Sequence, residues 1–377
     1  MTQSRGQEGA RGNREVPLSA RAGVPATARR GLAGETGFPP RDRAEGEGGG
    51  VNELVLASFA AASDAHLVCE PRSARFAAFK ARFDAHAELK RLETLGFRFL
   101  ARTDPAFPPL LRAIHDPPPG LFLRGEAEVQ LLARPAVAIV GARACSPYGR
   151  QISRLLGREL AAAGLVVVSG LARGIDAEAH RGALEAAGTT VAVLGCGIDR
   201  DYPAANRELA RQVAAIGLVV SEYAPGVEPA PWRFPARNRI VAGLCAATIV
   251  VEARERSGAL ITADFALEEG REVFSVPGEI TSALSAGVNA LLRLGATPLT
   301  CAQDVLESYG IAVHDPPELE VGVPAAGVLE RVRDGAAGAD ELARATGLCA
   351  GELAAALTEL ELAGAVTQEE GVYRACR

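Results

Sequence analysis

The sequence predicts an α/β protein: an extended Rossmann-like, doubly wound and mostly parallel sheet, preceded by a small helical domain and followed by a winged-helix-like domain. The first observation is a series of continuous apolar runs separated by segments of helical composition, at residues 137–140, 165–168, 190–194, 218–220, 247–251 and 272–276. Such runs are typical of strands buried on both faces of a parallel sheet. The second is that glycines recur after these runs, where strand-to-helix turns belong. The third is a C-terminal order of helix, helix-turn-helix and hairpin.

Composition divides the chain into five segments. Residues 1–50 are rich in Gly, Arg, Glu and Pro and predict a disordered tail, which is either a plain solvated extension or a weak nucleic-acid contact. Residues 51–128 predict a helical domain and a proline-rich connector, whose prolines exclude helix and central strand and leave only a short extended piece. Residues 129–311 form the Rossmann-like domain, 312–322 a linker, and 323–377 the winged-helix-like domain.

Local patterns add detail at both ends. Ser73 is expected to cap a helix, and one aromatic face of that helix is expected in the core; the face comprises Phe76, Phe79 and Phe83. In the last domain the pattern predicts helices at 327–333, 339–346 and 350–363, then strands at 365–368 and 371–374.

The overall charge neither supports nor excludes a nucleic-acid partner. The formal net charge is -6, so a DNA site would have to be a local patch. The seven cysteines are scattered, which predicts reduced thiols in a cytoplasmic protein, and the five histidines stand far apart. We therefore expect no metal site, and the absence of a long apolar run predicts no membrane partner.

The stretch from Ser169 to Asp176 predicts a phosphate-binding turn between a strand and a helix. Gly170 and Gly174 would let an anion approach the backbone, the helix N-terminus offers N–H groups, and Arg173 adds a positive charge.

Arginines and aromatic residues then collect on the loops at the carboxyl ends of the predicted strands. Arg143, Arg173, Arg237 and Arg239 would converge there into a positive groove suited to a polyanion. Alternatively, Arg173 bonds a neighbouring carbonyl, and Arg237 or Arg239 pairs with Glu222 or Glu252. The loop aromatics are Tyr148, Tyr202, Tyr223, Trp232 and Phe234. Tyr148 and Trp232 are candidate platforms for stacking bases, whereas burial is the commoner fate of a phenylalanine such as Phe234.

The same loops disfavour catalysis and cofactors. Asp176 and His180 have helical spacing, but Asp176 is expected to be a helix N-cap rather than an acid or base. The run from Gly141 through Arg143 lacks a dinucleotide-binding glycine pattern, and the sequence shows neither a Ser-His-Asp order nor a Walker motif. We therefore expect no enzyme activity and no cofactor.

Several motifs together resemble the DprA/Smf family of DNA-processing proteins of natural transformation. They are Gly141-x-Arg143, Ser169-Gly-Leu-Ala-Arg-Gly-Ile-Asp176, Phe234-Pro-Ala-Arg-Asn-Arg-Ile240, Ser257-Gly-Ala-Leu-Ile-Thr-Ala263, Gly270-Arg-Glu-Val-Phe-Ser-Val-Pro-Gly278 and Gly287-Val-Asn-Ala-Leu-Leu-Arg-Leu-Gly-Ala296. The resemblance implies a homodimeric protein that binds and protects single-stranded DNA, helps to load a RecA-type recombinase during recombination, and has a SAM-like N-terminal domain. It implies a DNA pocket lined by Arg143, Ser169, Gly170 and the segment from Phe234 to Arg239.

The resemblance and the loop residues together predict one set of DNA-binding residues. The set is Arg143, Ser169, Gly170, Arg173, Gly174, Phe234, Arg237, Asn238, Arg239, Tyr148 and Trp232. One departure from the family is that Ala204 and Ala205 follow Tyr202-Pro203, where a basic residue is common; Arg200 or Arg207 could substitute. The segment 350–363 carries three glutamates and no basic residue, which favours a protein contact or a structural element over DNA recognition.

Two other classes of function remain. A phosphoribohydrolase of the lysine-decarboxylase-like type would share a related fold, but its Pro-Gly-Gly-x-Gly-Thr run is missing, since Glu279 follows Pro277-Gly278. A structural adaptor built around the winged helix would bind no nucleic acid. For the homodimer, the candidate interfaces are the apolar segments 259–267 and 288–294.

Overall fold

The computed structural model describes residues 48–63, 73–311, 321–335, 337–369 and 371–375. The helices are α1 (Gly48–Ser63), α2 (Ala74–Lys80), α3 (Ala85–Thr94), α4 (Pro109–Arg112), α5 (Pro147–Ala162), α6 (Ile175–Glu185), α7 (Arg207–Ile216), α8 (Arg233–Gly243), α9 (Gly258–Glu268), α10 (Ala286–Arg293), α11 (Ala302–Ser308), α12 (Val323–Asp334), α13 (Ala339–Thr346) and α14 (Ala350–Leu362). The strands are β1 (Arg98–Ala101), β2 (Gly120–Arg124), β3 (Ala136–Val140), β4 (Val166–Ser169), β5 (Thr190–Val193), β6 (Leu218–Ser221), β7 (Ala247–Val250), β8 (Glu272–Ser275), β9 (Thr297–Pro298), β10 (Ala337–Gly338), β11 (Val366–Glu369) and β12 (Val372–Ala375).

Two predicted segments fall mostly outside the described residues. Of the predicted tail, residues 1–50, only Gly48–Gly50 are described, and α1 begins with them. Of the predicted linker, residues 312–322, only the last two are described, directly before α12.

The large sheet has nine strands in the order β1-β2-β6-β5-β4-β3-β7-β8-β9. Neighbours from β6 to β9 are parallel, whereas β2 is antiparallel to β6 and β1 is antiparallel to β2. Each of the six predicted apolar runs forms one strand from β3 to β8. The predicted fold class is therefore confirmed.

The strands β3 to β7 are buried at every position because helices cover both faces of the sheet. In β3, Val137 and Ile139 pack in the cluster that contains residues of α5 and α6, while Ala138 and Val140 pack in the cluster that contains residues of α8 and α9. Alternate residues of a strand point to opposite faces, so a strand covered on both sides buries all of its side chains and is mostly apolar.

Helices α5 and α6 approach each other through two reciprocal glycines. A Cβ atom at Gly157 would overlap the carbonyl oxygen of Ala179, and one at Gly182 would overlap the carbonyl oxygen of Arg154. The two backbones therefore touch directly, which fixes the position of α5 beside the turn before α6.

The proline-rich connector is more ordered than the sequence indicated. Its extended piece is β2, which lies inside the sheet between β1 and β6, because residues Gly120–Arg124 contain no proline and can donate to both neighbours. Pro109 begins the short helix α4, at a position where the missing N–H costs nothing.

The N-terminal helices confirm the predicted aromatic face only in part, because α2 ends at Lys80 and Phe83 follows it in the turn before α3. Ser73 caps α2, and its Oγ accepts a hydrogen bond from the N–H of Phe76 at 3.1 Å. Phe76 is buried against Phe59, with ring centroids 5.3 Å apart, and Phe79 and Phe83 pack around them.

The C-terminal domain has the predicted winged-helix order, with α12, α13 and α14 around one apolar core and a sheet of β10, β12 and β11. Helix α12 begins four residues earlier than predicted, because Pro324 suits its first turn. Two glutamates of α14 have structural partners: Glu352 accepts from the N–H of Cys349 at 2.9 Å, and Glu359 accepts from the N–H of Gly322 at 2.6 Å.

Strand β3 is the point where the winding of the sheet reverses. The strands β4, β5 and β6 follow on one side of it, and β7 and β8 on the other. The helices after β3 and β7 therefore leave on different faces and open a crevice beyond the strand ends, where ligands of such folds bind.

Candidate nucleic-acid interface

Two adjoining cavities, of about 370 and 420 Å³, occupy this crevice. Residues from the loops after β3 and β4 and from α8 line both of them: Arg143, Gly170, Ala172, Phe234 and Arg237. The first cavity continues towards α9, and the second continues towards the loop after β5. Together they form a groove across the carboxyl edge of the sheet, which we call the edge groove.

The predicted phosphate turn is largely occupied by the protein's own groups. The Ser169 hydroxyl is fully buried and donates to the carbonyl of Ile139 at 2.6 Å. The N–H of Ala172 donates to the carboxylate of Asp176 at 3.3 Å, and Asn206 donates to the carbonyl of Leu171 at 2.9 Å. Ser169 therefore shapes the groove floor and has no proton left to donate to a ligand.

Asp176 is not the N-cap that the sequence indicated. Helix α6 begins at Ile175 with Gly174 in the cap position, so Asp176 lies inside the first turn and reaches back to Ala172. Burial raises the pKa of Asp176 above its ordinary value, and the positive charges of Arg237 and Arg143 oppose that rise.

Gly174 is required for a close approach of two loops. Its φ of 76° is in the region that favours glycine, and a Cβ atom there would overlap the carbonyl oxygen of Ala142. Arg173, next to it, is exposed and lines the second cavity. No carboxylate pairs with Arg173 within the part of the chain that the structure describes.

Arg237 lies at the floor of the groove and is only 5% exposed. Its Nη1 donates to the carbonyl of Gly170 at 2.6 Å and to the carbonyl of Val193, and its Nε donates to the side chain of Asn238 at 3.0 Å. Burial lowers the pKa of Arg237, while the nearby Asp176 carboxylate opposes this. Arg237 therefore joins the turns after β4 and β5 and contributes positive potential from below.

Asn238 follows Arg237 on α8 and lines the first cavity. Its Nδ2 donates to the carbonyl of Gly258 at 3.1 Å. The side chain thus joins α8 to the start of α9 and holds the two walls of that cavity together.

Arg143 is the exposed cation that lines both cavities of the groove. Its guanidinium carbon lies 5.4 Å from the ring centroid of Phe234, a cation–π arrangement. Among the residues the structure describes, Arg143 has no ion-pair partner. Its donors are thus available to a phosphate.

Tyr202 is the site residue that the predicted set omitted. Its ring stacks on Phe234 with centroids 5.2 Å apart and planes 27° apart, and it is 45% exposed. Phe234 is half-buried and not lost to the core. The sequence held a signal, since Tyr202 was one of the loop aromatics, but nothing in it indicated that the two rings would meet.

Tyr148 and Trp232 lie outside the two cavities. Tyr148 is in the first turn of α5 and Trp232 is the N-cap residue of α8, and each is 38% exposed. Burial and the Glu252 carboxylate raise the pKa of Tyr148. The guanidinium carbon of Arg233 lies 4.8 Å from the Trp232 ring, so Trp232 is part of a separate cation–π contact.

The structure does not bring Arg239 into the groove. Its side chain is 8% exposed and pairs with the carboxylate of Glu222 at 2.7 Å and that of Asp116 at 3.0 Å. These two carboxylates, and the hydrogen bonds they accept, raise the pKa of Arg239. Arg239 joins α8 to the end of β6 and to the connector, as the alternative pairing with Glu222 predicted. We therefore exclude it from the candidate site.

Two further arginines near Tyr202, Arg200 and Arg207, differ in how free they are to contact a phosphate. Arg200 pairs with Glu228 at 2.7 Å. Arg207 is exposed at the start of α7 and has no ion pair with any described residue. Of the two candidates to replace the missing basic residue after Pro203, Arg207 is thus the freer one.

A carboxylate already occupies the helix N-terminus that holds pyrophosphate in dinucleotide-binding folds. Glu252, which is 4% exposed, accepts from the N–H of Ser146 at 2.9 Å and from its hydroxyl. A Cβ atom at Gly149 would overlap this carboxylate. A phosphate at the start of α5 would be repelled, so the groove is suited to an anion only on the Arg143 side.

His180 is unsuited to proton transfer in the groove. It is fully buried, and its Nδ1 lies 2.7 Å from the Thr190 hydroxyl. Burial, helped by the charges of Arg237 and Arg181, lowers the pKa of His180 to about 3. Across the described ranges, no cluster of His, Cys, Asp and Glu is placed to hold a metal ion. Within those ranges, too, every helix is too short or too polar to cross a membrane.

Comparison with known proteins gives matches over most of the chain. The family model for DNA recombination-mediator protein A matches residues 98–310, and that for the DprA winged helix domain matches residues 313–372. DNA processing protein DprA of Streptococcus pneumoniae is 46% identical over 228 residues, which are 60% of this chain and 78% of that protein. Protein Smf of Escherichia coli is 39% identical over 286 residues, covering 72% of this chain and 76% of that protein.

Two solved structures match as well. The crystal structure of DprA from Streptococcus pneumoniae has a TM-score of 0.59 and 39% identity, over 71% of this chain and 95% of that one. DNA processing protein A from Helicobacter pylori, described for its single-stranded DNA binding mode, has a TM-score of 0.52 and 32% identity, over 58% of this chain and 97% of that one.

Proposed function

Because this chain belongs to the DNA recombination-mediator protein A (DprA/Smf) family, we propose that it binds single-stranded DNA in the edge groove. The observation that carries the proposal is the contact of Arg143 and Tyr202 with the same ring, Phe234. A cation with free donors and an aromatic pair with one exposed ring, Tyr202, thus lie side by side. Groups of these two kinds hold the phosphates and the bases of a single strand.

The preference for single strands follows from the aromatic pair. A base can stack on Tyr202 or Phe234 only when its own face is exposed, which is not so inside a duplex. Arg143 and Arg173 contact phosphates, which carry no sequence information, so the protein binds with little base specificity. The DNA is held and protected; none of these groups is placed for catalysis, and we propose no enzyme activity.

We extend the proposal to the assembly. Two exposed apolar side chains, Leu294 at 84% and Ile280 at 95%, flank α10, and Leu267 on α9 is 53% exposed. Leu267 and Leu294 end the two segments that are the candidate interfaces, and the exposure of these apolar side chains supports a homodimer. By family membership, the dimer acts in the cytoplasm during natural transformation and helps to load a RecA-type recombinase on the bound strand.

A binding assay with single-stranded and duplex oligonucleotides of the same sequence tests the function. We expect tighter binding of the single strand, and an affinity that falls as salt rises, with a slope of about 0.7 per phosphate contact. Arg143→Ala should reduce both the affinity and that slope. Arg211→Ala, which removes an exposed arginine of α7, is the matched control. Equal binding of both DNA forms, or an unchanged affinity in Arg143→Ala, would refute the proposal.

A further inference from the structure

Helix α5 carries three arginines on one face, outside the edge groove. Arg150, Arg154 and Arg158 follow each other at intervals of four residues. Residues four apart lie on the same side of a helix, and their Cα atoms are separated by about 6 Å along its axis. The three side chains therefore form a row of arginines along one side of the helix, which we call the α5 stripe.

A cavity of about 240 Å³ lies along the α5 stripe. It is lined by Arg150, Gln151, Arg154, Leu155, Arg158, Glu185 and Thr367. Among the described residues that line it, Glu185 is the only carboxylate against three arginines, so this part of the cavity carries a net positive charge. Such a lining, with guanidinium, amide and hydroxyl groups, recognises a phosphate.

The three arginines are not equally available. Arg154 pairs with Glu185 and, at 3.8 Å, with Glu178, and therefore has a structural role between α5 and α6. Arg150 and Arg158 form no ion pair with any residue that the structure describes. These two carry the positive charge of the cavity.

The wing of the C-terminal domain forms the other wall. Thr367 of β11 lines the cavity, and the Nε2 of Gln151 lies 3.4 Å from the carbonyl oxygen of Ala375 in β12. Arg374 is paired across the strands with Thr367. Since cross-strand partners lie on the same face of a hairpin, Arg374 adds a further positive charge on that side.

The α5 stripe begins seven residues after Arg143 of the edge groove. Tyr148, an exposed ring, stands between Arg143 and Arg150 in the first turn of α5. A strand held at Arg143 therefore has a second group of arginines on the helix that follows that loop.

We propose that the α5 stripe and the wing form a second phosphate-binding site for the same single strand, beyond the edge groove. The inference rests on the proposed function, because it assumes that the edge groove holds the first part of the strand. It assigns the winged-helix domain a DNA contact through its hairpin, and leaves the acidic helix α14 out of that contact.

The test is the length dependence of binding. Oligothymidylates from about 4 nucleotides upward are titrated into the full-length protein and into the double variant Arg150→Gln/Arg158→Gln. The double variant should bind the shortest oligomers that bind at all with the same affinity as the parent. Its affinity for long oligomers should be at least about tenfold lower. The salt slope for long oligomers should fall by about 1.4, because two phosphate contacts are lost. Arg82→Gln/Arg211→Gln, two exposed arginines elsewhere, should leave every length unchanged.

A second variant tests the wing without touching α5. Thr367→Asp places a negative charge in the cavity and should also weaken only the long oligomers, while thermal unfolding shows that the domain is folded. If the α5 double variant equals the parent at all lengths, or loses as much on the shortest oligomer as on the longest, the second site does not exist. If the parent protein binds no oligomer of any length, the edge-groove proposal itself is wrong.

Discussion

The guanidinium of Arg237 occupies the space that a side chain at Gly170 would need. Its Nη1 donates to the Gly170 carbonyl at 2.6 Å, and a Cβ atom at position 170 would overlap the guanidinium group. The glycine that the sequence assigned to an approaching phosphate thus makes room for one of the protein's own cations.

Gly170→Ala should therefore impair DNA binding through Arg237. The added methyl group displaces the guanidinium from two carbonyls, and each lost charge-assisted hydrogen bond costs about 1.5–3 kcal/mol. We expect a lower melting temperature and weaker single-strand binding, measured by calorimetry and fluorescence anisotropy. Gly327→Ala, where a Cβ atom meets no other group, is the control: it lies inside α12, so it should leave DNA binding unchanged and should not lower the melting temperature. A Gly170→Ala protein equal to the parent in both would show that the contact with Arg237 is unimportant.

Tyr202→Leu should weaken binding without changing its salt dependence. The substitution keeps an apolar side chain against Phe234 but removes the ring on which a base stacks, and one such stack contributes about 1–3 kcal/mol. Titrations at several salt concentrations should give a lower affinity at each and an unchanged slope, in contrast to Arg143→Ala. A changed slope would mean that Tyr202 acts on the phosphate contacts and not on a base.

Arg239→Gln should destabilise the fold and leave the phosphate contacts intact. It leaves Glu222, whose side chain is 1% exposed, without its cation, and such a loss costs about 3–5 kcal/mol. Arg239→Gln/Glu222→Gln should recover part of the melting temperature, because no charge is then left unpaired at Glu222. An unchanged melting temperature together with a reduced salt slope would instead make Arg239 a phosphate contact.

His180 should make the protein less stable as the pH falls below about 6.5. The pKa of His180 is about 3 in the folded chain and has its ordinary value of 6.5 in the unfolded chain. As the pH falls, the unfolded chain therefore binds the proton before the folded chain does. The stability contributed by neutral His180 is complete above pH 6.5 and is lost progressively towards pH 3, at up to about 1.4 kcal/mol per pH unit. Denaturant titrations from pH 7 to 4 should show a smaller decline for His180→Gln. Parallel curves for the two proteins would contradict the assignment.

Leu294→Glu should dissociate the proposed homodimer. A charge in the middle of an apolar interface is left without a partner, which opposes association. Sedimentation velocity should give a monomer for this variant and a dimer for the parent. Leu362→Glu alters an equally exposed leucine, 85% against 84%, on the winged-helix domain and should remain dimeric. A parent protein that sediments as a monomer would refute the dimer.

Much of the architecture could be predicted because it depends on local patterns. Each apolar run became a strand of the sheet, since burial on both faces favours successive apolar residues over an alternating pattern. The location of the groove also followed from the sequence, because the carboxyl ends of parallel strands share one edge.

The partners of the individual side chains were decided by the tertiary structure. Phe234, Arg237 and Asn238 are three and four residues apart, so they share the face of α8 that lines the groove, whereas Arg239 is turned by about 200° from Arg237 and meets Glu222. The helical period indicated that the two arginines diverge, but which of them faces the groove depended on how α8 packs. Likewise, Tyr202 meets Phe234 only because the loop after β5 returns to α8, a contact between residues 32 positions apart that no local pattern encodes.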